Sequence, residues 1–289
     1  MKIAYLGPRG TFTEVAARGL FADGELIPFR TIPTCMDAVE ANEVNYAVVP
    51  IENAIEGSVN LTIDYLIHKQ RLPIVGGITV AIEQHLLINP NNVGVKDIEK
   101  IVSHPHAIAQ CHEFLQTQYP NAEWEYMNST GAAAEFVKSH PELNIAAIAN
   151  EGAAKAYELH VAHSNIHDFP NNRTSFVVLS KQAEKINFNG PCHTEDKTML
   201  MVTLPSDFSG ALHQVLSAFA WRKLNLTKIE SRPTKTGLGN YFFIIDVEGL
   251  VDDVLIPGVV SELQALGCGV DILGSYPCFT LAKNEAKIR

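Results

Sequence analysis

Short apolar runs alternate with helix-length segments through residues 1–181, and this alternation constrains the fold most strongly. Runs at Lys2–Leu6, residues 46–50 and Ile145–Ala149 have the length and composition of buried strands. Each is followed by a turn and a segment with helical character. Repeated strand and helix units with short connections pack as a parallel sheet with helices on both faces. Residues 1–181 are therefore predicted to form an α/β domain.

The remainder of the chain has a different order of elements. Strands are predicted over residues 198–204, 226–231, 241–247 and 270–275, and helices over residues 209–223 and 257–266. This order is βαββαβ, the ferredoxin-like split unit. A unit this small, with one open sheet face, is expected to pair with a second copy or to pack on a neighbouring domain.

The domain boundaries follow from the change of pattern. Residues 182–197 are polar, contain Asn189-Gly190-Pro191 and show no periodicity, so they are predicted to be a linker. The first domain is then residues 1–181, the second is residues 198–280, and residues 281–289 are a tail. Residues 72–89 are predicted to be extended in two pieces that break at Gly76-Gly77, and chains cross between lobes in such segments.

Charge and cysteine content limit the possible partners and location. The formal net charge is −10 at pH 7 without a lysine and arginine cluster, which argues against nucleic acid and anionic membranes. No apolar run approaches the length of a membrane span, and the chain opens on a predicted strand, not a signal peptide. The five cysteines form no C-x-x-C pair, which favours a reducing compartment over a disulfide framework. A cytoplasmic location is expected.

The turn after the first strand is a candidate anion site. Gly7-Pro8-Arg9-Gly10 leads to Thr11, and Thr11 stands three residues before Glu14, the spacing of a capping box. Unpaired N–H groups at a helix start can hold an anion, although most such turns bind only water. The turn has neither the G-x-G-x-x-G nor the Walker pattern, so no dinucleotide or ATP is predicted.

Polar residues stand at two further strand ends. Glu52, Asn53 and Glu56 follow the run at residues 46–50, and residues 172–175 stand where a loop enters the strand predicted before residue 179. Ligand sites in open α/β sheets lie at such strand ends. The alternative is that these are ordinary helix-start carboxylates and a solvated turn.

A group of histidines follows the strand predicted at residues 101–103. Pro105 suits the first turn of a helix that is expected to extend to about residue 118. His104, His106 and His112 lie near its start, but a third metal ligand of evident spacing is missing. No metal site is predicted.

Five segments of the chain resemble, in order, segments of one protein family. They are Gly7-Pro8-Arg9-Gly10-Thr11; Val49-Pro50-Ile51-Glu52-Asn53 with Glu56-Gly57; Ser103-His104-Pro105-His106-Ala107 with Gln110-Cys111; Gly210-Ala211-Leu212; and Glu230-Ser231-Arg232-Pro233. The chain resembles bacterial prephenate dehydratases, in which a catalytic domain precedes a regulatory ACT domain. Any one of these segments is a weak signal, whereas five in the right order over nearly the whole chain are a strong one.

The resemblance implies a catalytic domain of two lobes, similar to periplasmic binding proteins, with the site in the cleft between them. The lobes would be residues 1–76 with 161–181, and residues 77–160. Thr174 is the implied catalytic residue. The implied substrate-binding residues are Thr11, Asn53, Ser103, Gln110, Arg173, Ser175 and Phe176.

One residue departs from the family pattern. The family signature Thr-Arg-Phe stands here as Thr174-Ser175-Phe176, and Arg173 lies on the other side of the threonine. In a strand, Arg173 and Ser175 share one face and Thr174 lies on the other. Arg173 is then expected to supply part of the missing positive charge, an argument that fails if the segment is a turn.

The implied reaction removes carbon dioxide and hydroxide from prephenate and leaves phenylpyruvate. The enzyme must hold two carboxylates and assist a poor leaving group, which calls for a hydrogen-bond donor but no cofactor or metal. Thr174 is the hypothesised donor. Asn53, Ser103 and Gln110 would position the substrate, and Thr11 with the helix starts would receive its carboxylates.

The resemblance also implies feedback inhibition by L-phenylalanine at a subunit interface of the second domain. The implied ligand site comprises Gly210, Ala211, Leu212, Asn225, Glu230, Ser231, Arg232 and Pro233. A homodimer or homotetramer is expected. Two alternatives remain open: an arogenate dehydratase, whose substrate differs by an amino group, and a non-catalytic amino-acid sensor, which only Ser175 favours.

Overall fold

The structure is a computed structural model that describes residues 1–94, 97–188, 191–206, 208–234 and 241–281. Its first lobe begins with β1 (Lys2–Leu6), α1 (Phe12–Leu20), β2 (Glu25–Phe29), α2 (Ile32–Glu40), β3 (Tyr46–Asn53), β4 (Gly57–Ser58), α3 (Asn60–His68) and β5 (Ile74–Ala81). Thr11 caps α1 by accepting the Glu14 N–H, and Thr31 with Thr34 forms a capping box at α2. These local signals explain why α1 begins directly after Thr11, as the sequence predicted, and why α2 begins after Thr31.

The second lobe follows without interruption of the α/β pattern. It contains β6 (His85–Ile88), β7 (Lys100–Ser103), α4 (Pro105–Ala109), α5 (His112–Gln118), β8 (Glu123–Tyr126), α6 (Thr130–Ser139), β9 (Ile145–Ala149), α7 (Glu151–Ala156) and β10 (His160–His163). Its sheet has the order β10-β6-β9-β7-β8. The fully apolar strand β9 is buried along its whole length between two clusters of apolar side chains. The second lobe thus has its own core.

The chain returns to the first lobe as β11 (Arg173–Ser180), which lies between β5 and β3. β1 is parallel to β2 and β3, whereas β11 is antiparallel to both of its neighbours. The second lobe is also mixed, because β6 is antiparallel to β9 and to β10. The purely parallel sheet predicted from the sequence is wrong, since β6, which enters the second lobe, and β11, which re-enters the first, run against their neighbours.

The boundary between the lobes also differs from the prediction. β5 runs unbroken through Gly76 and Gly77, and the chain crosses between the lobes at residues 82–84 and 164–172. A Cβ atom at Gly76 would lie 2.7 Å from the ring of Phe188, and one at Gly77 would lie 3.2 Å from the ring of Tyr276. The two glycines therefore permit close packing against a strand and do not break it.

The helix predicted from Pro105 to about residue 118 is divided into α4 and α5. Gln110 closes α4, and its carbonyl oxygen accepts a hydrogen bond from the Asp168 N–H at 2.7 Å. The Asp168 N–H thus occupies the carbonyl oxygen that would accept an intrahelical hydrogen bond if the helix were continuous. The break leaves the side chain of Gln110 at a helix end.

The C-terminal domain has the βαββαβ order that the sequence predicted. It contains β12 (Cys192–Thr203), α8 (Ala211–Ala220), β13 (Leu226–Pro233), β14 (Tyr241–Glu248), α9 (Leu255–Ala265) and β15 (Gly269–Thr280), and its sheet has the order β13-β14-β12-β15. The predicted linker at residues 182–197 is partly wrong, because β12 begins at Cys192 and pairs with β15 along its length. The exposed side chains at residues 192–195 carry no apolar alternation that would have indicated a strand.

The C-terminal domain packs on the first lobe of the same chain. β15 pairs in parallel with β5, so the two sheets form one continuous sheet in the order β13-β14-β12-β15-β5-β11-β3-β1-β2. The open face of the C-terminal sheet covers α3, and Met199, Phe242 and Tyr276 share a buried cluster with Ile63 and Leu66. Within the described ranges, none of the helices is long and apolar enough to cross a membrane.

Candidate active site

A cleft of about 1130 Å³ lies between the two lobes. The first lobe lines it with the turn after β1, the end of β3 and part of β11, and the second lobe with the starts of α4 and α6. Of the predicted catalytic and substrate-binding residues, Thr11, Asn53, Gln110, Thr174 and Phe176 line this cleft, and Ser103, Arg173 and Ser175 do not. The structure thus brings together residues from strand ends far apart in the sequence.

Thr174 is held in a defined orientation by Asn53. The two residues lie opposite each other on β11 and β3, and Asn53 Nδ2 lies 2.8 Å from Thr174 Oγ1. Asn53 Oδ1 accepts the backbone N–H groups of Ile55 and Glu56, both at 3.0 Å, which fixes the side of the amide that faces Thr174. Because an amide nitrogen only donates, the threonine oxygen is the acceptor. The hydroxyl hydrogen of Thr174 is left to be donated elsewhere.

Gln110 reaches the cleft from the second lobe, whereas Ser103 does not. Gln110 is buried, and its Oε1 accepts a hydrogen bond from Asn172 Nδ2 at 3.0 Å. Ser103 is fully buried and donates its hydroxyl to the Ile148 carbonyl at 2.6 Å, which joins β7 to β9. In this structure Ser103 holds the second sheet together behind the cleft.

The segment around the altered signature residue is a strand from Arg173 onwards. Thr174 and Phe176 therefore share the face that lines the cleft, and Arg173 and Ser175 lie on the other face. Ser175 Oγ lies 3.1 Å from Thr79 Oγ1, and Arg173 is exposed. The structure does not place the charge of Arg173 in the cleft, because the alternation that groups it with Ser175 separates it from Thr174.

Hydrogen-bonding groups of the turn after β1 already have partners in α1, the helix that follows it. Gly10 N–H donates to Glu14 Oε2 at 2.6 Å, and the Thr11 hydroxyl donates to the Leu6 carbonyl at 3.0 Å while accepting the Glu14 N–H. A substrate carboxylate would have to compete with Glu14 for the Gly10 N–H. The candidate anion site predicted from this turn is therefore a weaker one than its sequence indicates.

The turn also touches the second lobe. Asn150 Nδ2 donates to the Gly10 carbonyl at 2.8 Å, and the Tyr157 hydroxyl donates to the Arg9 carbonyl at 3.2 Å. Gly131, in the first turn of α6, approaches so closely that a Cβ atom there would lie 2.5 Å from the Arg9 carbonyl oxygen. This contact sets the distance between the lobes at one end of the cleft.

Four residues that line the cleft were given no substrate-binding role from the sequence: Arg9, Arg30, Gln84 and His104. Arg9 and Arg30 bring positive charge to the cleft, which suits an anionic ligand. Burial, with the nearby His106, holds the pKa of His104 below its usual value, which favours the neutral imidazole. Gln84 is buried, and its Oε1 has no hydrogen-bond partner in the part of the chain that the structure describes. Arg9 had a signal in its glycine turn and His104 in the Ser103-His104-Pro105 segment, whereas Arg30 and Gln84 had none.

Two of the predicted regulatory residues make contacts within the chain. Glu230 accepts a hydrogen bond from Ser58 at 2.5 Å and from Arg232 at 2.7 Å. Arg232 also donates to Asn60 Oδ1 at 2.7 Å and to Asp64 Oδ1 at 2.6 Å. The side chains of Glu230 and Arg232 therefore join β13 to the segment that follows Asn53.

Lys228 extends this ionic contact to β3, the strand that pairs with β11. Its Nζ lies 2.6 Å from Ser58 Oγ and 3.4 Å from Glu52 Oε2, and Glu52 stands opposite Ser175 in the sheet. We call Lys228, Glu230 and Arg232 with their partners on residues 52–64 the domain bridge. A positive group from the C-terminal domain thus neutralises the carboxylate beside the altered signature position.

Apart from the buried Ala211, the other predicted regulatory residues lie at the surface or close to it. Gly210 stands before α8 with φ +93°, a conformation that favours glycine, and Leu212 is partly exposed. Ser231 and Pro233 are exposed on β13, and Asn225 donates to Glu248 at 2.8 Å.

The domain bridge predicts a defined effect of acid on stability. Burial alone would raise the pKa of Glu230, but hydrogen bonds from Ser58 and Arg232 and the charge of Lys228 hold it below its ordinary value of 4.5. A depressed carboxyl pKa stabilises the fold above that ordinary value, and the gain is lost as the pH falls through the folded-state pKa. Glu230→Gln should lower the unfolding free energy by about 1–3 kcal/mol at pH 7. The deficit should shrink in acid.

Urea unfolding of the wild type and Glu230→Gln between pH 7 and pH 3.5 measures this difference. Glu248→Gln, on the exposed end of β14, is the matched control. A deficit that stayed constant over this pH range would show that the charge of Glu230 does not stabilise the domain bridge.

Two lobes that enclose a cleft lined by hydroxyl, amide, arginine and glutamate side chains, fused to a ferredoxin-like domain, indicate a small-molecule enzyme with an attached regulatory domain. The family model "Prephenate dehydratase" matches residues 3–184, and the model "ACT domain" matches residues 198–267. The chain belongs to the prephenate dehydratase family.

Individual relatives agree with this assignment. The chain is 58% identical to a prephenate dehydratase of Bacillus subtilis over 97% of its own length and 100% of that protein. Among solved structures, a prephenate dehydratase from Arthrobacter aurescens in complex with L-Phe is 36% identical, with a TM-score of 0.82 over 96% of this chain and 90% of that chain. GqqA, described as a quorum quenching acylase, is 26% identical, with a TM-score of 0.83 over 96% of this chain and 98% of that chain.

Proposed function

We propose that this chain converts prephenate into phenylpyruvate, carbon dioxide and water, and that L-phenylalanine inhibits it through the ACT domain. The observation that carries the catalytic part is the Thr174 hydroxyl, which Asn53 orients at the surface of a cleft lined by Arg9 and Arg30. The identity of 58% to a relative named prephenate dehydratase supports the substrate.

The chemistry requires that two bonds of the ring substituents break. The electron pair of the bond to the ring carboxylate moves into the ring as carbon dioxide leaves, and the C–O bond opposite breaks as the hydroxyl group departs. Negative charge develops on the departing oxygen, which takes up a proton to become water. A preorganised donor at that oxygen lowers the barrier, and Thr174 is proposed to be this donor. Because a threonine hydroxyl is a very weak acid, its contribution is a hydrogen bond and not free proton transfer.

Arg9 and Arg30 are proposed to hold the substrate carboxylates. A guanidinium binds a carboxylate through two parallel hydrogen bonds, which fixes both position and orientation. The ring carboxylate must not be held too firmly, since it leaves as a neutral molecule. One arginine for the side-chain carboxylate and a weaker contact for the ring carboxylate would meet both needs.

Inhibition by L-phenylalanine is proposed to use a site between two copies of the ACT domain. The Arthrobacter aurescens structure contains L-Phe, and the predicted residues Gly210, Leu212 and Ser231 of this chain are exposed in the single chain. β13 stands at the end of the sheet order, and Ile229 and Leu212 are exposed apolar residues near it in the same domain. A homodimer or homotetramer would cover them. The five free cysteines support a reducing, cytoplasmic setting.

The experiment that tests the function is phenylpyruvate formation from prephenate by the purified chain, with and without L-phenylalanine. We expect turnover that phenylalanine suppresses, and weaker turnover of arogenate. Preferred turnover of arogenate would identify the other dehydratase. Binding of prephenate without product would contradict the catalytic proposal and favour a sensor, and restoration of turnover by Ser175→Arg would trace the loss to that residue.

A further inference from the structure

We propose that Asn172 is a positioning residue for this reaction: its side-chain amide, oriented by Asn53, determines which atom of the Gln110 amide faces the substrate. Asn172 is 3% exposed and does not line the cleft, so it acts through its neighbours. It lies in the crossover between the lobes, two residues before Thr174. The inference rests on the proposed function, since it concerns the same cleft.

The orientation begins at the turn after β3. Two backbone N–H groups donate to Asn53 Oδ1, so Asn53 Nδ2 must face the opposite way. There it meets Thr174 Oγ1 at 2.8 Å, Asn172 Oδ1 at 3.0 Å and, less closely, the Arg173 carbonyl oxygen at 3.3 Å. The two hydrogens of the amide have acceptors, and no rotation of the Asn53 amide would serve them better.

Asn172 transfers this fixed orientation from Asn53 to Gln110 in the second lobe. Because Asn172 Oδ1 accepts from Asn53, its Nδ2 faces Gln110 Oε1, which lies 3.0 Å away. Gln110 must then turn its own nitrogen away from Asn172. Gln110 lines the cleft, so the side of its amide that remains for a ligand carries the N–H groups.

Three side-chain amides are thus hydrogen-bonded in series, from Asn53 through Asn172 to Gln110. The backbone N–H groups that bind Asn53 Oδ1 fix which way each amide is turned. This arrangement leaves the Thr174 hydroxyl and the Gln110 nitrogen as donors, one from each lobe. Donors are what a dianionic substrate with a departing hydroxyl group needs, and an amide oxygen at either place would repel it. Asn172 is the link that passes this direction from the first lobe to the second.

The decisive variant is Asn172→Asp, which keeps the shape but not the donor. An ionised aspartate still accepts from Asn53, but it repels Gln110 Oε1, so the Gln110 amide rotates and turns its oxygen to the substrate. A protonated aspartic acid can donate again and restores the original direction. Burial raises the pKa of such a carboxyl group, which brings the change into an accessible range.

The experiment measures kcat/KM for prephenate from pH 5.5 to pH 8.5 and divides each variant by the wild type at the same pH. The titratable and charged groups around the amide chain are Glu56, His104, His106, Asp168 and Arg173, and division by the wild type removes their common effect. We expect Asn172→Asp to lose about 10- to 100-fold at pH 8.5, as for misplaced binding groups, and to recover at least fivefold towards pH 5.5. Asn172→Ser cannot span the gap and should lose activity equally at every pH.

A kcat/KM of Asn172→Asp close to that of the wild type at pH 8.5, or a loss as independent of pH as that of Asn172→Ser, would overturn the proposal. Thermal unfolding with and without L-phenylalanine identifies a variant that has lost its fold. If Asn172→Asp does not fold, Asn172→Ser decides alone, and unchanged activity in that folded variant overturns the role. An inactive wild type would overturn the proposed function instead, so the two failures are distinguishable.

Discussion

Thr174→Val is expected to lower kcat for phenylpyruvate formation by about 10²–10³-fold, the usual cost of removing one preorganised donor from a developing oxyanion. Valine has nearly the volume of threonine, and position 174 is 9% exposed, so the fold should survive. The change removes the proposed hydrogen bond to the leaving oxygen and leaves Asn53 Nδ2 without its closest acceptor. Because the donor acts mainly in the transition state, KM should change much less than kcat.

The neighbouring hydroxyl provides the matched control. Ser175 lies on the opposite face of β11 and pairs with Thr79, so Ser175→Ala should keep kcat within about twofold, as expected for a group that contacts no reacting atom. Thr174→Ser keeps the donor and should retain most of the rate. Turnover of Thr174→Val within threefold of the wild type would exclude Thr174 as the donor.

Gly131→Ala is expected to lower kcat/KM by about 10- to 100-fold, although alanine ordinarily stabilises a helix by about 1 kcal/mol relative to glycine. The added methyl group would lie 2.5 Å from the Arg9 carbonyl oxygen, which is backbone and cannot rotate away. The lobes must separate locally to relieve the contact. Thr174 and Gln110, which stand on different lobes, would then no longer reach one substrate together.

The effect should appear in catalysis and not in stability, because the cores of both lobes remain intact. Circular dichroism and thermal unfolding should be close to those of the wild type, while kcat and KM both change. Ser139→Ala, at the other end of α6, is the control and should be neutral. Unchanged kcat/KM in Gly131→Ala would mean that the backbone at Arg9 shifts to accommodate the methyl group and does not set the distance between the lobes.

The sequence predicted those parts of the fold and of the site that depend on local chemistry. The capping pattern at Thr11 and the strand entry at Thr174 are determined by a few neighbouring residues, and the structure has a helix and a strand there. The βαββαβ order was likewise predicted from periodicity within each element. The gathering of Asn53, Gln110 and Thr174 in one cleft could be expected only through the family resemblance.

Features that depend on distant partners were not predictable in this way. Gly76-Gly77 is a turn signal in isolation, and only the rings of Phe188 and Tyr276 make it a place of close packing. The first residues of β12 are polar, and only β15, far along the chain, makes them a strand. The role of Asn172 depends on two amides from different lobes, neither of which is near it in sequence.

The surroundings of Ser175, at the altered signature position, also depend on a residue that is distant in sequence. From the sequence, Ser175 removes a positive charge and Arg173 is the nearest replacement. In the structure Arg173 lies away from the cleft, and the carboxylate opposite Ser175 is met by Lys228 from the ACT domain. No local pattern around Lys228 indicates this, since the contact exists only when the two domains are folded together.

The shared sheet divides the chain into folding units that differ from its functional units. By function, the two lobes belong together and the ACT domain is an addition. By packing, β15 extends the sheet at β5, and Met199 and Phe242 complete a core with α3, whereas the second lobe has a core of its own. The ACT domain and the first lobe should therefore unfold cooperatively as one body, with the second lobe as the more independent one. The cleft between the two lobes is therefore also the boundary between these two folding bodies.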